Sequence, residues 1–169
     1  MIAKLAEEQD FDFYYKLKCD DENVLWSGHM NAPDKEKLKN WFLVNIKRYD
    51  RYFFLFFNEE NKHDIIGYLY LDVVGDNMDT IDTGHGVHSS HTGKGYGTII
   101  LQRGIEYAQK ELPQIHYFQG WIMSDNIGSI KNVLRLGYYK TDENKIIKTG
   151  KDEEKLMEKY LLKIKEDIK

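Results

Sequence analysis

The segment His91-Thr92-Gly93-Lys94-Gly95-Tyr96-Gly97 sets three glycines at alternate positions between an apolar stretch and a helical pattern. Glycine lets a chain turn through conformations closed to other residues, and lets its backbone approach a ligand without a Cβ in the way. Thr80 to Val87 on one side reads as a strand. On the other side Ile99, Ile100, Arg103, Gly104, Tyr107 and Ala108 have helical spacing through Glu111, with Pro113 as the stop. Strand, glycine-rich loop and helix in this order demand an α/β arrangement. They also leave unpaired N–H groups at the positive end of a helix dipole, a site for a pyrophosphate or similar anion.

Known anion loops differ in detail. A P-loop needs Lys before Ser or Thr after its last glycine, and Gly97-Thr98 lacks that lysine. The dinucleotide fingerprint G-x-G-x-x-G is not met either, because Gly93, Gly95 and Gly97 are spaced G-x-G-x-G. A glycine-rich turn with no ligand is the simpler alternative, and the loop taken alone leaves it open.

The rest of the chain supplies the other elements. Asp12 to Lys18, rich in aromatics, reads as a first strand, and Cys19 to Asn23 as a turn. Asp34 is a candidate N-cap for a helix in which Leu38, Trp41, Phe42, Asn45 and Ile46 share a face. Arg51 to Phe57 is nearly all apolar, as a strand covered on both faces would be, and Ile65 to Val74 returns beside it after a polar turn. His116 to Met123 is a further strand, and Asn126 to Leu136 a short helix ended by Gly137. Tyr138 to Thr141 opens another strand, and residues 142–155 read as a charged connection. Near the end, Leu156, Tyr160 and Ile164 fit a helix, whereas Tyr160, Leu162 and Ile164 fit a strand; a strand over Glu158 to Lys163 is preferred.

Composition narrows the class. With 41% hydrophobic and 14% aromatic residues in 169, the chain can build one core, and one domain over 1–169 is expected. A net charge of −4 argues against nucleic acid as a partner. Cys19 stands alone, so neither an intrachain disulfide nor a cysteine-based metal cluster can form. The N-terminal residues lack the apolar run of a signal peptide and no window approaches membrane-spanning length, so the cytoplasm is the expected location and no membrane partner is expected.

A second motif follows about thirty residues after the loop: Asn126-Ile-Gly-Ser129-Ile130, ending in Leu136-Gly137-Tyr138. Together the two resemble the GNAT N-acetyltransferase superfamily, whose pyrophosphate loop is [RQ]-x-x-G-x-[GA] and whose later segment is N-x-x-[SA]-I-x-x-x-x-x-x-G-[FY]. The Ser-Ile pair is similar to the ribosomal-protein-alanine-acetyltransferase-like branch. The likeness spans roughly residues 52 to 140 and weakens outside them. It implies an α/β (α+β) fold, with a mixed, mostly antiparallel, twisted sheet of about six or seven strands flanked by about four helices. It implies acetyl-CoA as co-substrate and no metal. Thr92, Gly93, Lys94, Gly95, Tyr96, Gly97 and Thr98 would then hold the pyrophosphate, and Asn126 and Ser129 the pantetheine arm. Val87 and Ser89, with His88 between them, would pair with pantetheine through the main chain, and the N–H of Val87 would face the carbonyl oxygen. Two departures stand out: Thr92 replaces the family's Arg or Gln, and Val133 occupies the place where many members carry a tyrosine acid.

Transfer of an acetyl group to an amine needs a base for the ammonium proton and fixed donors for the charge that develops on the carbonyl oxygen. Alternation along Thr80 to His88 puts Asp82, Gly84, Gly86 and His88 on one face and Thr83, His85 and Val87 on the other. His85 is the first candidate base and Asp82 the second. Tyr139 is the candidate donor, since Tyr138 matches an aromatic that is usually core. His85, His88 and His91 are not spaced to gather around a metal. Trp26, Trp41, Asp20, Asp21 and Glu22 fall in the region that lines the acceptor pocket in the family, and the acceptor itself, a small-molecule or peptide amine, stays open. A non-catalytic acyl-CoA sensor and an unrelated nucleotide-binding domain are the competing classes, and sheet edges would serve a homodimer.

Overall fold

The computed structural model describes residues 1–150 and 152–164. A seven-stranded sheet runs in the order β1-β2-β3-β4-β5-β7-β6, with β1 Ile2–Leu5, β2 Arg51–Phe57, β3 Ile65–Val74, β4 Thr80–Val87, β5 Tyr117–Met123, β6 Tyr139–Lys148 and β7 Glu154–Lys163. Every neighbouring pair is antiparallel except β4 and β5. Among the described residues five α-helices flank it: α1 Phe11–Cys19, α2 Asp21–Trp26, α3 Lys35–Asn45, α4 Tyr96–Glu111 and α5 Ile127–Arg135.

Burial follows the period-2 and period-3.6 patterns. One face of β3 and β4 (Leu69, Leu71, Ile81) packs with Ile100, Leu101, Ile105 and Ala108 of α4 and Val133 of α5. The opposite face carries Phe53, Leu55 and Tyr68 against Phe11, Tyr14 and Leu17 of α1 and Phe42 of α3. Because β2 and β3 are buried from both sides, they read as apolar runs rather than alternations.

Four expectations need correction. Asp12 to Lys18 lies in helix α1, whose buried residues Phe11, Tyr14 and Leu17 recur every three positions. Aromatics favour strands because they suit a half-buried surface, and a helix stripe offers the same burial. Val24 to Trp26 and part of the supposed turn form α2, begun by the Asp20 carboxylate, which accepts from the Asn23 N–H. Ile2–Leu5 is a strand that the sequence reading passed over, pairing with Phe54 to Phe57 at the sheet edge. Residues 142–155 are not a mere connection, since β6 continues to Lys148 and β7 begins at Glu154. β6 is an edge strand, and its outward polar residues disguise it, as is usual at edges. Lys140–Glu158 and Lys159–Glu143 ion pairs cross between it and β7. The preferred C-terminal strand is present, and Tyr160 of β7 is buried in the core.

Candidate functional site

β4 and β5 pair only at Thr80–Tyr117, Ile81–Phe118 and Asp82–Gln119. Beyond that point the two parallel strands separate, the last link being the Thr83 hydroxyl donating to the Gln119 carbonyl at 3.0 Å. A cleft of about 700 Å³ opens between them, walled by Thr83 to Val87 on one side and Gly120 to Met123 on the other. It lies outside the carboxyl ends of parallel strands, where open α/β sheets bind ligands. β4 is held to β3 through its even residues, as the His88 N–H donating to Ile66 O at 2.8 Å shows. In an antiparallel ladder the main-chain groups of the intervening residues point the other way, so those of Thr83, His85 and Val87 face the cleft.

The glycine-rich loop closes one end. Gly93 and Gly95 have φ of +74° and +81°, and a Cβ on either would meet nothing within 4 Å, so the loop surface is open as well as sharply turned. Among the described residues, the N–H groups from Gly93 to Thr98 make no well-formed hydrogen bond to a protein acceptor. They belong to the loop and the first turn of α4, whose dipole adds to their partial charge. Gly97 is different: a Cβ there would lie 2.4 Å from the Asn132 amide, so it is where α4 and α5 touch. Thr98 donates to Asn132 Oδ1 at 3.0 Å and reinforces that contact.

Asn126 caps α5 by accepting from the Ser129 N–H at 3.1 Å, and both residues border the cleft. On the same helix Lys131 and Arg135 line the cleft one turn apart. The sequence reading missed them, although their spacing of four was there to be read.

The remaining wall comes from α2, an element the sequence did not reveal. Glu22, Asn23, Trp26 and Ser27 line the cleft together with Tyr68 of β3. The Trp26 indole donates to Glu22 at 2.9 Å. Asn23, 6% exposed, donates from its side chain to Val87 O at 3.0 Å and to Asp20 at 3.1 Å. Asp20 also accepts from the N–H of Ser89 at 3.1 Å and from its hydroxyl. Burial opposes its charge, yet the bonds from Ser89 and Asn23, with His88 nearby, hold its carboxyl below the usual carboxylate range. Asp20 and Asn23 thus fasten the α2 wall to the end of β4.

The sequence-predicted residues separate into two groups. His85, Val87, Thr92, Gly93, Gly95, Tyr96, Gly97, Asn126 and Ser129 are brought together around one cleft. His88, Ser89, Lys94 and Thr98 are not in the lining, and their side chains are spent elsewhere: the His88 ring caps the turn at Ser90, Ser89 serves Asp20, the Lys94 ammonium donates to Ser90 O at 2.9 Å, and Thr98 bonds Asn132. Ser89's N–H is therefore already engaged. Asp82 is not in the lining. It lies across from Asp72, and burial, with that carboxylate beside it, raises its pKa. Tyr139 is 53% exposed on the edge strand β6, opposite Leu161, and lies away from the cleft. His85 does reach the cleft, and burial alone pushes its imidazole down to about 4. It is neutral at physiological pH, and among the described residues no carboxylate pairs with it.

The sequence profile of the acetyltransferase (GNAT) domain matches residues 1–139. This chain belongs to the GNAT acetyltransferase family. No curated protein sequence matches it. Among solved structures, the fold is shared with a spermidine N-acetyltransferase from Vibrio cholerae in complex with CoA and spermine (TM-score 0.81, 13% identity, covering 96% of this chain and 94% of that one). It is shared also with a ribosomal-protein-alanine N-acetyltransferase from Brucella melitensis (TM-score 0.79, 18% identity, 97% and 100% covered). An aminoglycoside acetyltransferase in complex with coenzyme A aligns with TM-score 0.74 at 17% identity over 95% and 93% of the two chains. No helix among the described residues is long and apolar enough to cross a membrane.

Proposed function

We propose that the protein transfers the acetyl group of acetyl-CoA directly to a primary amine of a small molecule or a protein N-terminus. The observation that carries this reading is the row of unpaired N–H groups from Gly93 to Thr98 at one end of a cleft between parted parallel strands. A pyrophosphate fits that row, since it needs several donors and space free of Cβ atoms, and Gly93 and Gly95 leave that space. Lys131 and Arg135 add two positive charges along the same wall. Spermidine, aminoglycoside and ribosomal-protein-alanine acetyltransferases of the same fold support an amine acceptor.

The chain's own groups divide the work. The main-chain groups of His85 face the cleft and can pair with an extended pantetheine arm as a neighbouring strand would, whereas the Val87 carbonyl is taken by Asn23. The Val87 N–H is the donor for the carbonyl oxygen as charge develops on it, and it costs no reorganisation because β4 is fixed by β3 and by Asn23. His85, neutral at physiological pH, has a lone pair available for the proton released from the attacking amine. A base this weak does not take a proton from a free ammonium, so its role is confined to the step after the nitrogen has bonded to carbon and become more acidic. Trp26 offers an aromatic face, and Glu22 a carboxylate, to a cationic acceptor at the α2 end.

The test is release of free thiol from acetyl-CoA against a panel of polyamines, amino sugars and peptide N-termini. Amine-dependent, saturable release that falls at least tenfold in His85→Gln supports direct transfer with His85 as base. Binding of acetyl-CoA with no turnover on any amine would move the reading to a sensor.

A further inference from the structure

Residues 90–95 of the loop are held almost entirely by bonds to their own immediate neighbours. Thr92 donates its hydroxyl to Ser89 O at 2.8 Å, the Lys94 ammonium donates to Ser90 O at 2.9 Å, and the Ser90 hydroxyl meets the His88 ring at 2.9 Å. Such bonds shape the loop without fixing where it sits. One side chain reaches further. His91 is buried, and its Nε2 lies 2.9 Å from Asp64 Oδ1, a partner 27 positions away in the turn before β3. The His91 ring also meets Tyr96, the first residue of α4, edge-on with centroids 5.8 Å apart.

Asp64 is itself rigidly placed. Its second oxygen accepts from the Asn58 side chain at 3.1 Å, and its main chain bonds to Asn58 and Asn61 at 2.9 Å each across the β2–β3 turn. The hydrogen bond with His91, followed by that with Asn58, holds its carboxyl below the ordinary range, with Lys16 adding to the effect. Neither residue was assigned a role by the family motif, and Asp64 does not line the cleft.

We propose that Asp64 is a positioning residue for cofactor binding: through His91 it pins the glycine-rich loop so that the N–H groups from Gly93 onward converge on the pyrophosphate. This rests on the reading of the cleft as a CoA site. Thr92 stands where the family pattern has Arg or Gln, and its hydroxyl is spent on Ser89 O. Here the loop's affinity depends on how well its main chain is held in place, and Asp64 is what holds it from outside.

The experiment measures dissociation constants for CoA, dephospho-CoA and pantetheine on wild type, Asp64→Ala and Asp64→Asn. Asp64→Ala is expected to weaken CoA and dephospho-CoA, which both carry the pyrophosphate, by about tenfold, the loss of one charge-assisted hydrogen bond. Pantetheine, which has no pyrophosphate, is expected to bind all three proteins alike. Asp64→Asn is expected to recover most of the loss, because its amide oxygen still accepts from His91. Should Asp64→Ala fail to fold, His91→Phe, which keeps the ring without the bond, carries the same expectation. Equal losses for pantetheine and CoA, or CoA binding within twofold of wild type, would overturn the proposal. A wild type that binds none of the three overturns the cofactor reading itself.

Discussion

Replacing His85 with glutamine should flatten the acid side of the protein's stability profile. Burial lowers this imidazole from 6.5 to about 4, so between those values the unfolded chain binds a proton that the folded chain refuses. The sign follows from linkage: stability is complete above pH 6.5 and is lost as pH falls toward 4. At about 1.36 kcal/mol for each pH unit, the interval amounts to ~3 kcal/mol in full, of which ~2 is lost by pH 5. His85 lines the cleft and is only half-buried, so ~2 kcal/mol at pH 5 is a ceiling. The assay is urea unfolding of wild type and His85→Gln at pH 8 and pH 5. The quantity to read is the difference between the two pH-dependent losses, expected at ~1–2 kcal/mol in favour of the variant. Equal losses in the two proteins would show that His85 titrates as it does in water. It would then not be the buried neutral group on which the base assignment depends.

Other consequences can be checked on the same proteins. Asn23→Ala removes the side-chain bond to Val87 O and one of Asp20's partners, so it should cut kcat about tenfold while shifting the acetyl-CoA KM less than twofold. Steady-state kinetics with both substrates varied would decide it; a rise in KM alone would place Asn23 in cofactor binding instead. Lys131→Ala with Arg135→Ala should weaken CoA binding and flatten its dependence on salt, since two screened charges leave the wall. An unchanged salt slope would refute their part.

The loop and the helix after it were legible because both signals are local. Glycines at 93, 95 and 97 can be read without knowing what surrounds them, and α4 shows its buried stripe as a period in the chain. Helix α1 was misread because Phe11, Tyr14 and Leu17 meet α3 and β2, so their spacing matters only once those partners are in place. β6 hid behind an edge strand's charges. Asp20 and Asn23 were read as part of a turn, Asp20 also as falling in the acceptor-pocket region; their role comes from Val87 and Ser89, more than sixty positions later, and no spacing in the sequence encodes that meeting. Tyr139 was chosen by alternation from Tyr138. The alternation holds, since Tyr138 is buried and Tyr139 exposed, but the exposed side of an edge strand faces away from the cleft.

The most direct test is a calorimetric titration of acetyl-CoA into wild type and Gly95→Glu, with NAD and ATP as controls. Gly95 sits at φ +81° with open space where a side chain would project, so glutamate sets a bulky negative charge among the N–H groups offered to the pyrophosphate. Saturable binding of acetyl-CoA by wild type, lost in the variant and absent for NAD and ATP, is the predicted result. No binding by wild type at millimolar acetyl-CoA, or binding undisturbed by Gly95→Glu, would contradict the assignment of this loop as the acyl-donor site.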